Sequence, residues 1–309
     1  MGRRVVRYRG RVARYALTIA YDGTDFHGWQ KQYRAAPPEA PLPEGAERDA
    51  SGRIVLRTVQ SVVERAVRES VREPVELRGA SRTDAGVHAL AQCAVFTTSD
   101  ERQGAPDDRL AMAINARLPD DALVTEARRV HPTFDPIGHC VAKGYRYTLH
   151  VSPDRPLWNR HYAHHVHVPL DVDAMREGAS RLVGQHDFAA FAAAHHGRKS
   201  TVRTVLACVV QQPNDTAITI DISGDGFLYN MVRIVAGTLV DVGRGRMTPD
   251  DVGAALASLD RRNAGPTLPP QGLRLEWIRH HPASLDPNAT NVPATRFGPS
   301  EDENGGADD

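Results

Sequence analysis

Arg82, Thr83 and Asp84 stand together between Gly79 and Gly86, with His88 two residues past the second glycine. Apolar-rich segments flank them, 71–77 before and 93–96 after. Glycine takes positive φ at little cost, so the spacing predicts a backbone bent to present the charged triplet. A carboxylate presented in this way can attack as a nucleophile; the plain alternative is a strand–loop–strand turn with a solvated Arg and Asp. Asp84 and His88, four apart, could share a metal only on a helix, and Gly86 between them opposes one. The groups His164-His165-His167, His195-His196 and His280-His281 lack a ligand spacing and read as solvated surface residues. Cys93, Cys140 and Cys208 are scattered among apolar residues and read as buried thiols in a reducing compartment.

The surrounding pattern says what must position the triplet. Residues 14–20 alternate, with Tyr15, Leu17 and Ile19 on one face, and predict a strand ending at the Asp22-Gly23 turn. Residues 31–53 turn to Pro, Ala, Glu and Gly and predict a mobile surface insertion, too polar to order itself. Thr58 is placed to cap a helix whose stripe is Val59, Val62, Val63, Ala66, Val67 and Val71. Strands are expected at 92–97, 124–130, 141–151, 205–211, 217–223 and 273–278, the fourth and fifth paired around Asn214-Asp215. Helices are expected at 108–118, 171–183 and 228–242, and from Thr248-Pro249 onward. Half-buried alternating strands with helices to one side give an α+β chain of two similar halves.

The run Arg82-Thr83-Asp84-Ala85-Gly86-Val87-His88-Ala89 resembles the signature of the tRNA pseudouridine synthase A family. Further similar segments follow in that family's order. They are 21–30 (Tyr-Asp-Gly-Thr-Asp-Phe-His-Gly-Trp-Gln), Thr58-Val59-Gln60, Lys143-Gly144-Tyr145-Arg146-Tyr147, His186-Asp187-Phe188, 227–233 (Phe-Leu-Tyr-Asn-Met-Val-Arg) and Pro270-Gln271-Gly272-Leu273. The resemblance spans residues 14 to 281. It implies two related mixed α/β halves, with largely antiparallel sheets flanking a central cleft, pairing into a homodimer. The halves would be 14–135 and 136–281, between a basic arm at 1–13 and a disordered acidic tail at 282–309. One departure stands out: after Phe134 the chain has Asp135-Pro136-Ile137 where the family commonly has a His-Ala-Arg-like element that contacts RNA.

The implied activity is isomerisation of uridine to pseudouridine in the anticodon stem-loop of tRNA, at positions 38 to 40. By motif position Asp84 is the catalytic nucleophile. A carboxylate in a closed pocket needs a cation to stay ionised, and the resemblance offers Arg233. Tyr145 corresponds to the active-site tyrosine, able to stack on uracil and relay the C5 proton. Tyr147, on the same face, reads as core. Leu228 corresponds to an apolar contact with the base. Arg82 corresponds to an arginine that helps displace the target nucleotide from its stack. No cofactor pattern appears, and isomerisation needs none.

Charge neither demands nor forbids an RNA partner. The chain carries 38 basic and 38 acidic residues. Six arginines and no acid lie in 1–14, and five acids and no base in 299–309. Arg3, Arg4, Arg7, Arg198, Arg244 and Arg246 are candidate phosphate contacts. No membrane-length apolar run and no secretory leader are evident, so a cytoplasmic protein is expected. Two other readings compete: a non-catalytic RNA-binding protein on the same scaffold, and a metal-dependent hydrolase built from Asp84 and the histidines.

Overall fold

The computed structural model describes the chain except residues 1–11, 36, 38, 40, 44, 45, 50, 101, 194–199 and 296–309. Its described residues fall into two units, 12–140 with 278–295, and 141–277. The sequence had placed the division at 135/136 and counted 278–281 with the second half.

The first unit contains Val12–Tyr21 (β1), Tyr33–Arg34 (β2), Glu47–Arg48 (β3), Ile54–Val55 (β4), Val59–Val71 (α1), Arg78–Gly79 (β5), His88–Ser99 (β6), Leu110–Asn115 (α2) and Ala122–Val130 (β7). β1 lies between β6 and β7, antiparallel to both, and β5 pairs with β6. The alternation of β1 buries Tyr15, Leu17 and Ile19 completely. The α1 stripe is buried as its periodicity demands. Thr58 closes a capping box with Ser61, accepting the Ser61 amide while the Ser61 hydroxyl accepts the Thr58 amide. α2 is shorter than the expected 108–118 and follows a 3-10 turn at Asp107–Arg109.

That turn carries an ionic cluster at the edge of the core. Tyr15 donates its hydroxyl to Asp107, and Arg102 and Arg129 donate to the same carboxylate. Burial raises the Asp107 carboxyl, but these donors outweigh it and hold the group below its ordinary value. Burial, then the bond to Asp107, push the Tyr15 phenol up to about 12. A depressed carboxyl stabilises the fold above its unfolded pKa and loses that contribution as pH falls through the folded one. Asp107→Asn should therefore lower stability at neutral pH, and the gap from wild type should close below the ordinary value of 3.8. Urea midpoints measured between pH 7 and 3 check this; a gap independent of pH would exclude the linkage.

Residues 31–53, expected to stay without structure for want of apolar surface, contribute β2 and β3, which flank β4 in a small antiparallel sheet. β4 supplies what that stretch lacks, since Ile54 and Val55 are both buried.

The second unit contains Cys140–Val151 (β8), whose first residue belongs to the first unit, His164–Val166 (β9), Val172–Ser180 (α3), Gly184–Asp187 (β10), Val202–Asn214 (β11), Ala217–Gly224 (β12), Met231–Gly243 (α4), Pro249–Ser258 (α5) and Leu273–His280 (β13), which leaves it after Trp277. The sheet order is β10-β11-β12-β8-β13, with β9 parallel to β8. β10 to β12 and β8 pair antiparallel. β8 lies between β12 and β13 as β1 lies between β6 and β7, so the two units share a strand plan. The fold is mixed α/β with largely antiparallel pairing. β11 and β12 turn at the expected Asn214-Asp215, where Asn214 Oδ1 accepts the Thr216 amide. β9 and β10, three and four residues long, were not foreseen. Thr248 forms a capping box with Asp251 and Pro249 sits in the first turn of α5.

α4 starts at Met231 rather than 228, because Asn230 takes left-handed backbone (φ 60°) at its entry. Leu228 and Asn230 are therefore not helical.

The chain beyond β13 was expected to be a disordered tail from 282. Its described part instead starts with Pro282–Leu285 (α6), and Leu285 packs on the first unit's cluster of Ala16, Val95, Val130 and Phe134. His280, expected at the surface, is buried with Nε2 2.9 Å from the Pro136 carbonyl. Asp135, in the segment that departs from the resembled pattern, accepts the amides of Ile137 and Gly138 through Oδ1. The Asp135 amide donates to His139 Nδ1, so the proton of that ring is on Nε2, which reaches the Pro293 carbonyl at 3.0 Å. Here the departure from pattern ties the core to residues beyond 290.

Among the described residues, no helix is long and apolar enough to cross a membrane.

Candidate active site

Asp84 opens the turn that its glycine spacing predicts. The Val87 amide donates to the Asp84 carbonyl at 3.1 Å, and Gly86 supplies φ +79°. A residue with a Cβ is strained there. Asp84 is half-buried, Thr83 buried and Arg82 exposed. Asp84 and His88 lie on a turn and a strand, so the helical spacing a shared metal would need is not present. His88 Nδ1 instead accepts the Gly23 amide at 3.0 Å, which puts the ring proton on Nε2. Asp22 Oδ1 also lies 3.1 Å from that nitrogen. Those two partners require opposite protonation of Nδ1.

Three groups of residues hold this loop. Residues 21–29 form the first. The Tyr21 hydroxyl and Thr83 Oγ1 are 2.7 Å apart, and the Trp29 amide donates to the Thr83 carbonyl at 3.0 Å. A Cβ on Gly23 would stand 2.1 Å from the Val87 carbonyl oxygen, so the two backbones touch as only glycine allows. On the sheet side Gln92, fully buried, donates to the Ser81 carbonyl and accepts the Ser81 amide.

From α1, Gln60 donates to the Leu77 carbonyl at 2.7 Å and accepts from the Lys31 amide and from Gln30. Glu64, 2% exposed, accepts the Leu77 amide and pairs with Lys31 and Arg68. Glu64→Ala would orphan a buried amide one residue before β5, which costs about 1–3 kcal/mol. Denaturant titration should show that loss. Glu64→Gln, which keeps an acceptor for the amide, should recover part of it; equal losses would mean the ion pairs dominate.

The remaining candidates lie in the second unit. Tyr145 on β8 is buried and meets the Phe227 ring edge-on, centroids 5.2 Å apart at 87°. Leu228 is buried beside Phe227 in the chain. Tyr147 is fully buried and donates its hydroxyl to the Pro269 carbonyl at 2.7 Å, the core role expected for it. Burial pushes its phenol well above the ordinary value, against the nearby Arg233 charge. Arg233, in the first turn of α4, donates Nε to the Leu268 carbonyl at 2.7 Å and Nη1 to Asn230 Oδ1 at 2.8 Å. The Leu268 amide donates back to the Arg233 carbonyl. Leu268 and Asn230 thus help to aim the guanidinium.

Asp84 and Arg82 belong to the first unit, and Tyr145, Leu228 and Arg233 to the second. Sequence reasoning gave no role to Phe227, Asn230, Gln60, Gln92 or Glu64. Phe227, Asn230 and Gln60 lie inside the recognised segments, which was the available signal; Gln92 and Glu64 carried none. Of the phosphate-contact candidates, Arg244 is half-buried and Arg246 exposed, while Arg3, Arg4, Arg7 and Arg198 lie outside the described residues, as do His195 and His196. Cys140 and Cys208 are buried and Cys93 half-buried; burial pushes the Cys93 and Cys208 thiols up to about 12.

Comparison with known proteins bears on what such a pair of sites belongs to. A family model described as tRNA pseudouridine synthase matches residues 47–135 and 179–280, which include Arg82, Asp84, Leu228 and Arg233 but not Tyr145. The tRNA pseudouridine synthase A of Acetivibrio thermocellus is 40% identical over 259 residues, covering 84% of this chain and 96% of its own. The protein of that name in Pelobacter propionicus is 42% identical with the same coverage. A chain from a Cbf5-Nop10-Gar1 complex aligns over 81% of this chain and 58% of its own, at 9% identity and a TM-score of 0.32, too low to bear on the argument. With a model match over more than half its length and relatives aligned almost end to end, the chain belongs to the tRNA pseudouridine synthase family, whose members are isomerases.

Proposed function

We propose that the chain isomerises uridine to pseudouridine in the anticodon stem-loop of tRNA, at positions 38 to 40, with Asp84 as nucleophile, working as a cytoplasmic homodimer. The observation that carries this reading is the 82–89 loop, an intact signature octapeptide on a turn held by three groups of residues, in a chain of this family.

In the reaction the bond between ribose C1′ and uracil N1 breaks, the base rotates, and C5 bonds to C1′. C5 gives up its proton and N1 gains one, so atoms balance without an external reactant. The Asp84 carboxylate attacks the nucleotide to open this sequence and leaves to close it. Arg233, aimed by Leu268 and Asn230, is the charge partner that keeps the carboxylate ionised. Tyr145 stacks on the uracil and takes part in the C5 proton transfer. Leu228 contacts the base, and Arg82, exposed on the same loop as Asp84, helps hold the nucleotide out of its stack.

The test is tritium release from C5-tritiated uridine in a tRNA transcript with chelator present, followed by mapping of the modified positions. Release at 38 to 40 is the expected result. No release from the wild type, with salt-sensitive tRNA binding retained, would replace the enzyme by an RNA-binding protein. Release abolished by chelator would return the metal reading.

A further inference from the structure

The second unit carries an exposed aromatic loop that the proposed chemistry does not use. Between β8 and β9 the chain presents Trp158 at 93% exposure, with Leu157 at 63% and Tyr162 at 51%. An indole left almost wholly in water gives the fold little burial energy. The loop has internal bonds of its own: Arg160 Nη1 donates to the Leu157 carbonyl at 2.8 Å, and the Tyr162 amide to the Asn159 carbonyl at 2.9 Å. Trp158 therefore stands on a tied turn, which lowers the entropy cost of using it for contact.

The charge around it is net positive. Residues 152–163 hold Arg155, Arg160 and His161 against a single acid, Asp154, and Arg155 and Arg160 are both exposed. The loop leads straight into His164, whose imidazole is lowered by burial first and by the Arg244 charge second, so His164 lies within electrostatic range of Arg244. Arg244 Nε is buried and makes no hydrogen bond. A buried guanidinium nitrogen without an acceptor is costly unless an anion completes it. Trp, Tyr and Arg also dominate protein interfaces. Two exposed arginines on one short loop favour a polyanion over another protein surface.

We infer that the 155–162 loop, together with Arg244, is a second RNA-contacting surface of this enzyme: Trp158 stacks on an unpaired base while Arg155, Arg160 and Arg244 take phosphates. Stacking on an aromatic face tolerates any base, so the surface adds affinity and orientation for folded tRNA, not sequence choice. The inference rests on the tRNA reading above, and its test separates the two.

The probe is an unmodified tRNA transcript, read by intrinsic tryptophan fluorescence, by binding across a salt series and by sedimentation of the protein alone. Trp29 is buried and Trp277 half-buried, so quenching on an exposed indole reports chiefly Trp158. Wild type should be quenched on binding, and Trp158→Phe should lose the quenching while keeping most of the affinity. Trp158→Ala should bind about 5- to 160-fold more weakly, the worth of one base–aromatic stack. Arg155→Gln and Arg160→Gln should each reduce the slope of log K against log salt by about 1. Unchanged affinity in Trp158→Ala would overturn the inference. So would weaker binding that comes with a change in sedimentation, which would assign the loop to contact between copies of the chain. Tritium release by the wild type tells these outcomes apart from failure of the isomerase reading itself.

Discussion

Asp84→Asn should lower tritium release by roughly 10⁴-fold or more, the scale seen when a covalent nucleophile is removed. The change keeps size and hydrogen-bonding shape, and the bond that closes the turn runs from the Val87 amide to the residue 84 carbonyl, which any side chain leaves in place. The variant should therefore fold with an unchanged melting curve. Binding of tRNA should stay within a few-fold of wild type, because phosphate contacts generally dominate affinity for nucleic acid. Residual release within about tenfold of wild type would remove Asp84 from the role of nucleophile.

Gly237→Ala is expected to be the most damaging single methyl group in the second unit. Gly237 lies inside α4, and a Cβ there would stand 1.9 Å from the Pro266 carbonyl oxygen. The neighbour is backbone, so no side chain can swing away. The next residue, Thr238, accepts the Gly265 amide through Oγ1, so the 265–268 segment is tied to the helix at the point where it would be pushed off. Overpacking of a close-packed site costs about 1–3 kcal/mol and occasionally more; this contact belongs at the upper end. Leu268 leaves with that segment, and its carbonyl is a group that aims Arg233. Stability and kcat should therefore fall together. Gly253→Ala is the control, since a Cβ at that position in α5 meets nothing within 4 Å. A Gly237→Ala protein with wild-type melting and kcat would mean that the segment relaxes freely and does not set Arg233.

What the sequence disclosed follows from how local its causes are. α1 was readable because its stripe and its Thr58 cap lie within one stretch, and the same holds for the Thr248-Pro249 start of α5. The bend at Gly86 was readable because a turn needs a glycine at a fixed offset. The start of α4 was misread because periodicity runs back to Leu228, whereas the left-handed backbone of Asn230 ends the helix and no apolar pattern records φ. The order within 31–53 and 282–295 was missed for a related reason. Each stretch is too polar to fold by itself and borrows burial from elsewhere, through Ile54 and Val55 in one case and Leu285 in the other.

Asp84, Tyr145 and Arg233 are proposed on motif resemblance, which does not point to the residues that pack around them. Glu64 and Gln92 look like ordinary surface polar residues in the sequence. Only a contact with a backbone group many residues away makes them parts of a frame, as Glu64 meets Leu77.

The return of residues 278–295 to the first unit sets an order of events during synthesis. The stretch bearing Asp84 leaves the ribosome before 141–277, yet the apolar cluster of Ala16, Val95, Val130 and Phe134 lacks Leu285 until those residues have been made as well. His139 likewise waits for the Pro293 carbonyl. A nascent chain therefore carries an unfinished first unit through translation of all of 141–277, although domains generally fold as units in the order they emerge. A nonsense codon anywhere between 278 and 285 would take Leu285 away from the half that was translated first.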